Sequence, residues 1–331
     1  MIIEARAYAR AGFLGNPTDG YFGKTISISV RNFGAHVSLY ETPELKIELQ
    51  EQDMNVFRNI HDLAESVNLT GYYGGERLIK AAIKTFYEYC KKNSIKIHVK
   101  NFTIRYHTSI PRQIGLAGSS AIITAAIRAL MAFYDVNIPL EVLPTVVLSA
   151  EVDELGIIAG LQDRVIQAYE GCVYMDFDKQ IMDAQGHGNY KSIDATLLPS
   201  LYIAYKTNLG KVSGAVFNDV HARYMEGEPL VVDTLDEIGQ VAADGEKAIL
   251  KGDHERLAKL INKNFDLRAK IFNISDSNYE LVKSARKCGA SAKFTGSGGS
   301  IIGTYNNDET LRSLIINMHK LNARVIKPFI V

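Results

Sequence analysis

Polar and apolar positions change period several times along this chain, and the changes mark its elements. Ala5–Leu14 is a mixed apolar stretch that runs into the turn cluster Gly15-Asn16-Pro17-Thr18-Asp19-Gly20. Lys24–Arg31 alternates strictly and is rich in β-branched residues, the pattern of a strand with one buried face. His36–Tyr40 and Leu45–Leu49 predict further short strands. From Gly75 the period becomes helical: Leu78, Ala82, Phe86 and Tyr89 share a face, the pattern continues to Lys92, and Asn93 is the stop signal. Ile95–His107 returns to alternation. Gly118–Tyr134 is apolar on nearly every side, which predicts a helix buried all round. A further helix spans about Leu140 to Leu155, with a start after Pro144 as the alternative. Asp163–Tyr169 is a short third helix, and Gly171 leads into the strand Cys172–Phe177.

Gly186-His187-Gly188-Asn189 is the loosest stretch in the middle of the chain, and a domain boundary is expected there, dividing residues 1–190 from 191–331. Beyond it come a strand, Leu201–Lys206, and helices over Ser213–Met225, Val232–Leu250, His254–Ile271 and Asn278–Lys287. The strand pair Ala292–Thr295 and Ser300–Tyr305, a helix Asp308–Leu321 and a strand Arg324–Ile330 complete the pattern. With the extra helices collapsed, the order is β-α-β-β-α-β, the ferredoxin-like arrangement. The expected class is α+β, a mixed α/β N-terminal domain followed by a ferredoxin-like one.

Composition narrows the function. The 331 residues include 37 Lys+Arg and 37 Asp+Glu, with 47% apolar and 22% charged residues, which is globular rather than disordered. A formal charge of zero without a basic stripe argues against a nucleic-acid partner. No run approaches the ~18–20 apolar residues of a membrane span. Arg6 and Arg10 interrupt the first apolar stretch, so it lacks the core of a signal peptide. Cys90, Cys172 and Cys288 are far apart and form no CxxC, as reduced thiols of a cytoplasmic enzyme would be. Nothing in the pattern specifies an oligomeric state.

The strongest chemical signal is Pro111-Arg112-Gln113-Ile114-Gly115-Leu116-Ala117-Gly118-Ser119-Ser120-Ala121, set between a strand and the buried helix. Glycines allow close backbone approach, and the first N–H groups of a helix have no partners within it and carry partial positive charge. Such an end cradles phosphate. The alternative is an ordinary Ser N-cap. No GxxxxGK[ST] stretch occurs, and neither do the HRD and DFG signatures of protein kinases.

This loop resembles the Pro-xxx-Gly-Leu-(Gly/Ser)-Ser-Ser-Ala loop of the galactokinase/homoserine kinase/mevalonate kinase/phosphomevalonate kinase (GHMP) superfamily. Arg10-Ala11-Gly12-Phe13-Leu14-Gly15-Asn16-Pro17-Thr18-Asp19 is similar to its first motif, and Lys293-Phe294-Thr295-Gly296-Ser297-Gly298-Gly299 to its third. One departure is the pair Ala117-Gly118 where the family usually has a single residue. GFLGNPTDGYFGKTIS, GYYGGERL, ELGIIAGLQDRVIQAYEG and NFDLR resemble the plant-type glucuronokinases in particular.

The resemblance implies a kinase dependent on ATP and Mg²⁺ that phosphorylates the anomeric hydroxyl of D-glucuronate. It implies nucleotide contacts at Pro111, Gly115, Leu116, Ala117, Gly118, Ser119 and Ser120, closed by Ser297, Gly298 and Gly299. It implies magnesium on Ser120 and Glu151, a base at Asp163, Arg10 on the transferring phosphoryl group, and sugar contacts from Asn16, Thr18 and Asp19. Arg268 is a candidate for the sugar's carboxylate, alongside Arg112, Lys24 and the Tyr72–Gly75 turn. Each residue has a plainer reading: Glu151 facing solvent, Asp163 as an N-cap, Arg10 as a strand-end surface charge, Asn16–Asp19 as a turn, Ser297–Gly299 as a hairpin. Alternative functions are an anomeric kinase for galacturonate, galactose, arabinose or fucose, and a sugar-sensing protein that has lost catalysis.

Overall fold

The computed structural model describes residues 2–48, 74–207 and 215–330. The expected strand end at Leu49, the helix start at Ser213 and the pair Tyr72-Tyr73 lie outside the described residues. The elements are β1 (Ile2–Leu14), β2 (Lys24–Thr42), β3 (Lys46–Glu48), α1 (Gly75–Lys92), β4 (Asn101–Thr108), α2 (Gly118–Tyr134), α3 (Leu143–Val152), α4 (Gln162–Tyr169) and β5 (Cys172–Asp176). They continue as α5 (Lys179–Gln185), β6 (Asn189–Ile193), β7 (Leu201–Lys206), α6 (Ala215–Met225), α7 (Pro229–Leu250), α8 (His254–Ile271) and α9 (Asp276–Lys287). The last are β8 (Lys293–Phe294), β9 (Ser300–Thr304), α10 (Asp308–Lys320) and β10 (Ala323–Ile326). Short 3-10 turns at Thr18–Tyr21 and Ala195–Leu197 complete the order.

Two compact units form, one from Met1–Ala9, Asn32–Pro111 and Ala117–Tyr169, the other from Arg10–Arg31, Arg112–Leu116 and Glu170–Val331. β1 and β2 each contribute residues to both units.

In the first unit, residues Ala35–Thr42 of β2 pair antiparallel with β4, and β3 pairs parallel with β4. β2 is one strand where two were expected: Gly34 stays in it because its N–H donates to Ser109 Oγ and its carbonyl accepts from the Ser109 N–H. β4 starts later than the alternation suggests, at Asn101, and Val99 just before it is almost fully exposed. α1 buries Leu78, Ile79, Ala82, Phe86 and Cys90 on one face, and Lys91 and Lys92 in its last turn oppose the negative end of its dipole. α2 is buried on nearly all sides, as its unbroken apolar run requires.

In the second unit, Lys24–Ile28 of β2 pair with β5, and β5 with β6, all antiparallel. α5 and β6 escape sequence reading because α5 buries no residue and so has no apolar stripe. The loose glycines there are structural: Gly186 is the left-handed cap that ends α5. A separate sheet runs β10-β7-β9-β8 with every pair antiparallel. Counting its strands in chain order, that is fourth-first-third-second, the ferredoxin-like order. Its core is Tyr202, Phe265, Leu281, Phe294, Ile301, Leu314 and Met318.

Gly303 on β9 shows how tightly that sheet is covered. A Cβ there would lie 1.7 Å from the Ser291 carbonyl oxygen. Tyr202 Oη donates to that same oxygen at 2.8 Å, so it has nowhere to move. Gly303→Ala should therefore lower stability by about 3 kcal/mol or more, the upper end for overpacking. Urea unfolding of the two proteins would measure it, and an unchanged midpoint would refute the packing argument.

Candidate functional site

In the second unit, Arg10 lies within β1 and is 6% exposed, which rules out a surface charge. Its guanidinium donates through Nη1 to Gly115 O at 2.6 Å and to Thr295 O at 3.1 Å, and its N–H donates to Leu116 O. One side chain thus fastens the first part of the Pro111–Ala121 loop and the Lys293–Gly299 stretch. Contact between those two glycine stretches is close: a Cβ on Gly115 would be 2.9 Å from Gly298 O, and one on Gly296 would be 2.6 Å from Gly115 O. Thr295 Oγ1 donates to Gly115 O at 3.1 Å, and Ser300 Oγ donates to Ile114 O. Ser297 is exposed, while Gly298 and Gly299 take positive φ and turn the chain between β8 and β9.

The same unit buries two more cations beside Arg10. Arg268, on α8, is 4% exposed, donates to Gly296 O at 2.8 Å and lies over the rings of Phe272 and Phe294. Burial first, and then the Arg10 charge, pull its guanidinium down to about 10. Lys293 is 1% exposed and donates to Gly12 O and Phe294 O, both at 2.8 Å, and to Asn16 Oδ1. Burial, then Arg268 and Arg10, hold its ammonium well below the ordinary lysine range. Opposing that pull, three oxygen acceptors are all satisfied only by the three N–H groups of the charged form.

The expected sugar residues lie around these cations. Asn16, which precedes Pro17 through a cis peptide bond, is buried; its carbonyl accepts from Asn264 Nδ2, and Asn264 Oδ1 accepts the Gly15 N–H at 2.7 Å. Asp19 is half-buried in the following 3-10 turn. Tyr21, on that turn, packs edge-on against Tyr224 at 4.7 Å. Its phenol is pushed up to about 12 by burial, Asp19 and Tyr224, with Arg268 opposing. Thr18 takes part in the turn. It is fully buried and its hydroxyl donates to Lys24 O at 3.0 Å, so it closes the turn itself. Lys24 is likewise engaged, in an ion pair with Asp176 at 2.7 Å.

In the loop, Gln113, Gly115 and Ala117 all have positive φ, so left-handed residues alternate with their neighbours. Such alternation turns successive N–H groups inward into an anion-binding nest. Pro111, Ala117, Gly118 and Ser119 are half-buried. The ordinary Ser cap is not what forms: Ala117 is the N-cap of α2 and supplies no side-chain acceptor to the first turn.

In the first unit, α2, α3 and α4 assemble a second cluster. Glu151, on α3, has no exposure at all. Its Oε1 accepts from Ser119 Oγ at 2.8 Å, and its Oε2 accepts from Arg164 Nε at 2.8 Å and from Arg164 Nη2. Ser119, rather than the expected Ser120, meets the carboxylate, because Ser120 Oγ points back to Ala117 O. Asp163 is the second residue of α4, inside its first turn rather than at the cap, and 3.6 Å from Arg164 Nη1. Arg164 therefore stands between the two acids. Gln167, one turn further, donates to Ala117 O at 2.9 Å.

Sequence reading passed over Arg164, Gln167, Asn264, Lys293 and Thr295 as site residues. Lys293 and Thr295 stood inside the third motif, Asn264 inside NFDLR, and Arg164 next to Asp163; only spatial partners distinguish them from their neighbours. Among the described residues, no group of three or more His, Cys, Asp or Glu could hold a metal, and no helix is long and apolar enough to cross a membrane.

Residues 77–171 match the model of the GHMP kinases N-terminal domain, and residues 246–320 that of the GHMP kinases C-terminal domain. The chain is 46% identical over 306 residues to Glucuronokinase 1 of Arabidopsis thaliana, covering 91% of this chain and 84% of that protein. It is also 46% identical over 308 residues to Probable glucuronokinase 2 of the same plant, with the same coverage. Among solved structures, the galactokinase of Lactococcus lactis, complexed with galactose, superposes with a TM-score of 0.79 at 16% identity, covering 99% of this chain and 93% of that one.

The Glu151–Arg164 pair is buried on both sides, with side chains 1% and 5% exposed. Removing one partner of such a pair strands the other charge at a cost of about 3–5 kcal/mol. Arg164→Met should therefore destabilise by that amount in urea unfolding, whereas the double variant Arg164→Met/Glu151→Leu should recover most of the loss. Equal destabilisation by the single and double variants would refute the pairing.

Proposed function

Since the chain belongs to the GHMP kinases, we propose that it transfers the γ-phosphoryl group of ATP to O1 of D-glucuronate, releasing ADP and glucuronate 1-phosphate. The observation that carries this reading is the identity of 46% to Glucuronokinase 1 over nine-tenths of the chain. The grouping of Arg10, Arg268 and Lys293, all buried, supports it independently, since a site of that charge favours an anionic sugar over a neutral one.

Asp163 orients the O1 hydroxyl and takes or steers its proton as O1 attacks phosphorus and the bond to the β-phosphate oxygen breaks. Arg10 stabilises negative charge on the transferring group, and its fixed hydrogen bonds to the two glycine stretches mean little reorganisation is needed at that moment. The N–H groups of Gly115–Ser120 receive the triphosphate, and Ser297–Gly299 close over it. Asn16 and Asp19 contact the sugar, and Arg268 takes the carboxylate. A hard carboxylate beside a hydroxyl fits magnesium, which commonly takes one or two protein oxygens. Glu151, with Ser119 in place of Ser120, would hold the ion, which supplies charge neutralisation to the phosphates when bound. We place the protein in the cytoplasm, in keeping with its three free thiols, two of them buried.

A panel of glucuronate, galacturonate, galactose, arabinose and fucose with labelled ATP tests the assignment. Glucuronate should give the highest kcat/KM and a phosphate on O1; a neutral hexose that outran it would overturn the uronate reading. Asp163→Asn should reduce kcat about 10³-fold or more with ATP binding retained. Unchanged turnover in that variant would remove Asp163 from the chemistry.

A further inference from the structure

Lys293 is a buried cation with three specific contacts. Its ammonium donates to Gly12 O, Phe294 O and Asn16 Oδ1. An ammonium has donors only, so it decides which end of the Asn16 amide faces it. The oxygen must face Lys293, and the NH₂ must face the other way. Among the described residues, no acceptor is hydrogen-bonded to Asn16 Nδ2, in a residue 4% exposed as a whole. The backbone on both sides of Asn16 is held by Asn264, which accepts from Gly15 N–H and donates to Asn16 O. The amide is thereby fixed in orientation, in a unit that also buries Arg268 and Arg10 next to Lys293.

From this geometry we infer that Lys293 is a positioning residue that fixes Asn16 as a hydrogen-bond donor for the acid group of the sugar, and so helps set specificity for a uronate. This rests on the glucuronate reading above. An acceptor-only group suits the arrangement on two grounds. A carboxylate oxygen satisfies an amide donor that has no acceptor among the described residues, and its negative charge relieves three mutually repelling cations, which a neutral hydroxymethyl group cannot do. The lysine of the third motif thereby acts on the sugar side, not on the nucleotide.

Asn16→Asp separates this role from a merely structural one. Aspartate keeps an acceptor for Lys293, and so keeps the loop in place, but replaces the outward donor with an acceptor that repels a carboxylate. The expected result is a KM for glucuronate raised roughly 10- to 100-fold, as for loss of a hydrogen bond to a charged group. KM for ATP should stay within about threefold, and the thermal midpoint should be unchanged or higher. Lys293→Met, which frees the amide, should raise KM for glucuronate in the same direction with a lower midpoint. An Asn16→Asp enzyme with wild-type KM for glucuronate overturns the inference, as does an equal rise in both KM values. Failure of the wild-type enzyme to phosphorylate glucuronate at all would instead overturn the reading on which it rests, and the two results are distinct.

Discussion

One guanidinium holds the two glycine stretches of this molecule together. Arg10 leaves the middle of a buried strand and bonds the carbonyl oxygens of Gly115 and Thr295, one in each glycine stretch. A backbone that must approach a ligand closely cannot be filled with side chains, so it has little packing of its own to fix its shape. Here that shape comes from outside: Arg10, Thr295 and Ser300 all donate to carbonyls of the loop, which turns its oxygens towards them. The glycines follow from the same constraint. At Gly115 and Gly296 a methyl group would meet backbone, so the two stretches can lie against each other only without side chains.

Charge is distributed unevenly between the two units. The second carries Arg10, Arg268 and Lys293, held largely by carbonyl oxygens and aromatic faces. The first carries Glu151 and Asp163 on either side of Arg164. These solve opposite problems. Cations buried close together lower one another's affinity for protons, and the carbonyl oxygens and rings around them offset part of that cost. A buried carboxylate must be neutralised even when nothing is bound, and Arg164 does that while a hydroxyl, Ser119, occupies its second oxygen. Both arrangements place side chains in a fixed direction before any ligand arrives, which lessens the reorganisation required on binding.

The long periodic elements were readable. Gly75–Lys92, Gly118–Tyr134, Leu201–Lys206 and His254–Ile271 match their expected limits, because each has a continuous apolar pattern of one period. The ferredoxin-like order also followed from the alternation of strands and helices. What escaped were elements without a buried stripe, such as α5, and joins made by hydrogen bonds rather than by pattern, such as the passage of β2 through Gly34. Of the plainer readings, the solvent-facing Glu151 and the surface Arg10 are excluded by burial, whereas Thr18 does serve the turn.

By itself, the order of residues determined the periods, the glycine stretches and the three motifs, and with them the fold and the kinase family, since these depend on near neighbours and on spacing. It could not say that Ser119 rather than Ser120 meets Glu151, that Arg164 neutralises that acid, or that Lys293 turns the Asn16 amide. Those contacts join residues 32, 13 and 277 positions apart. A side chain's partner over such separations is set by where helices and strands pack, and adjacent residues with the same chemistry point in different directions once a helix has wound.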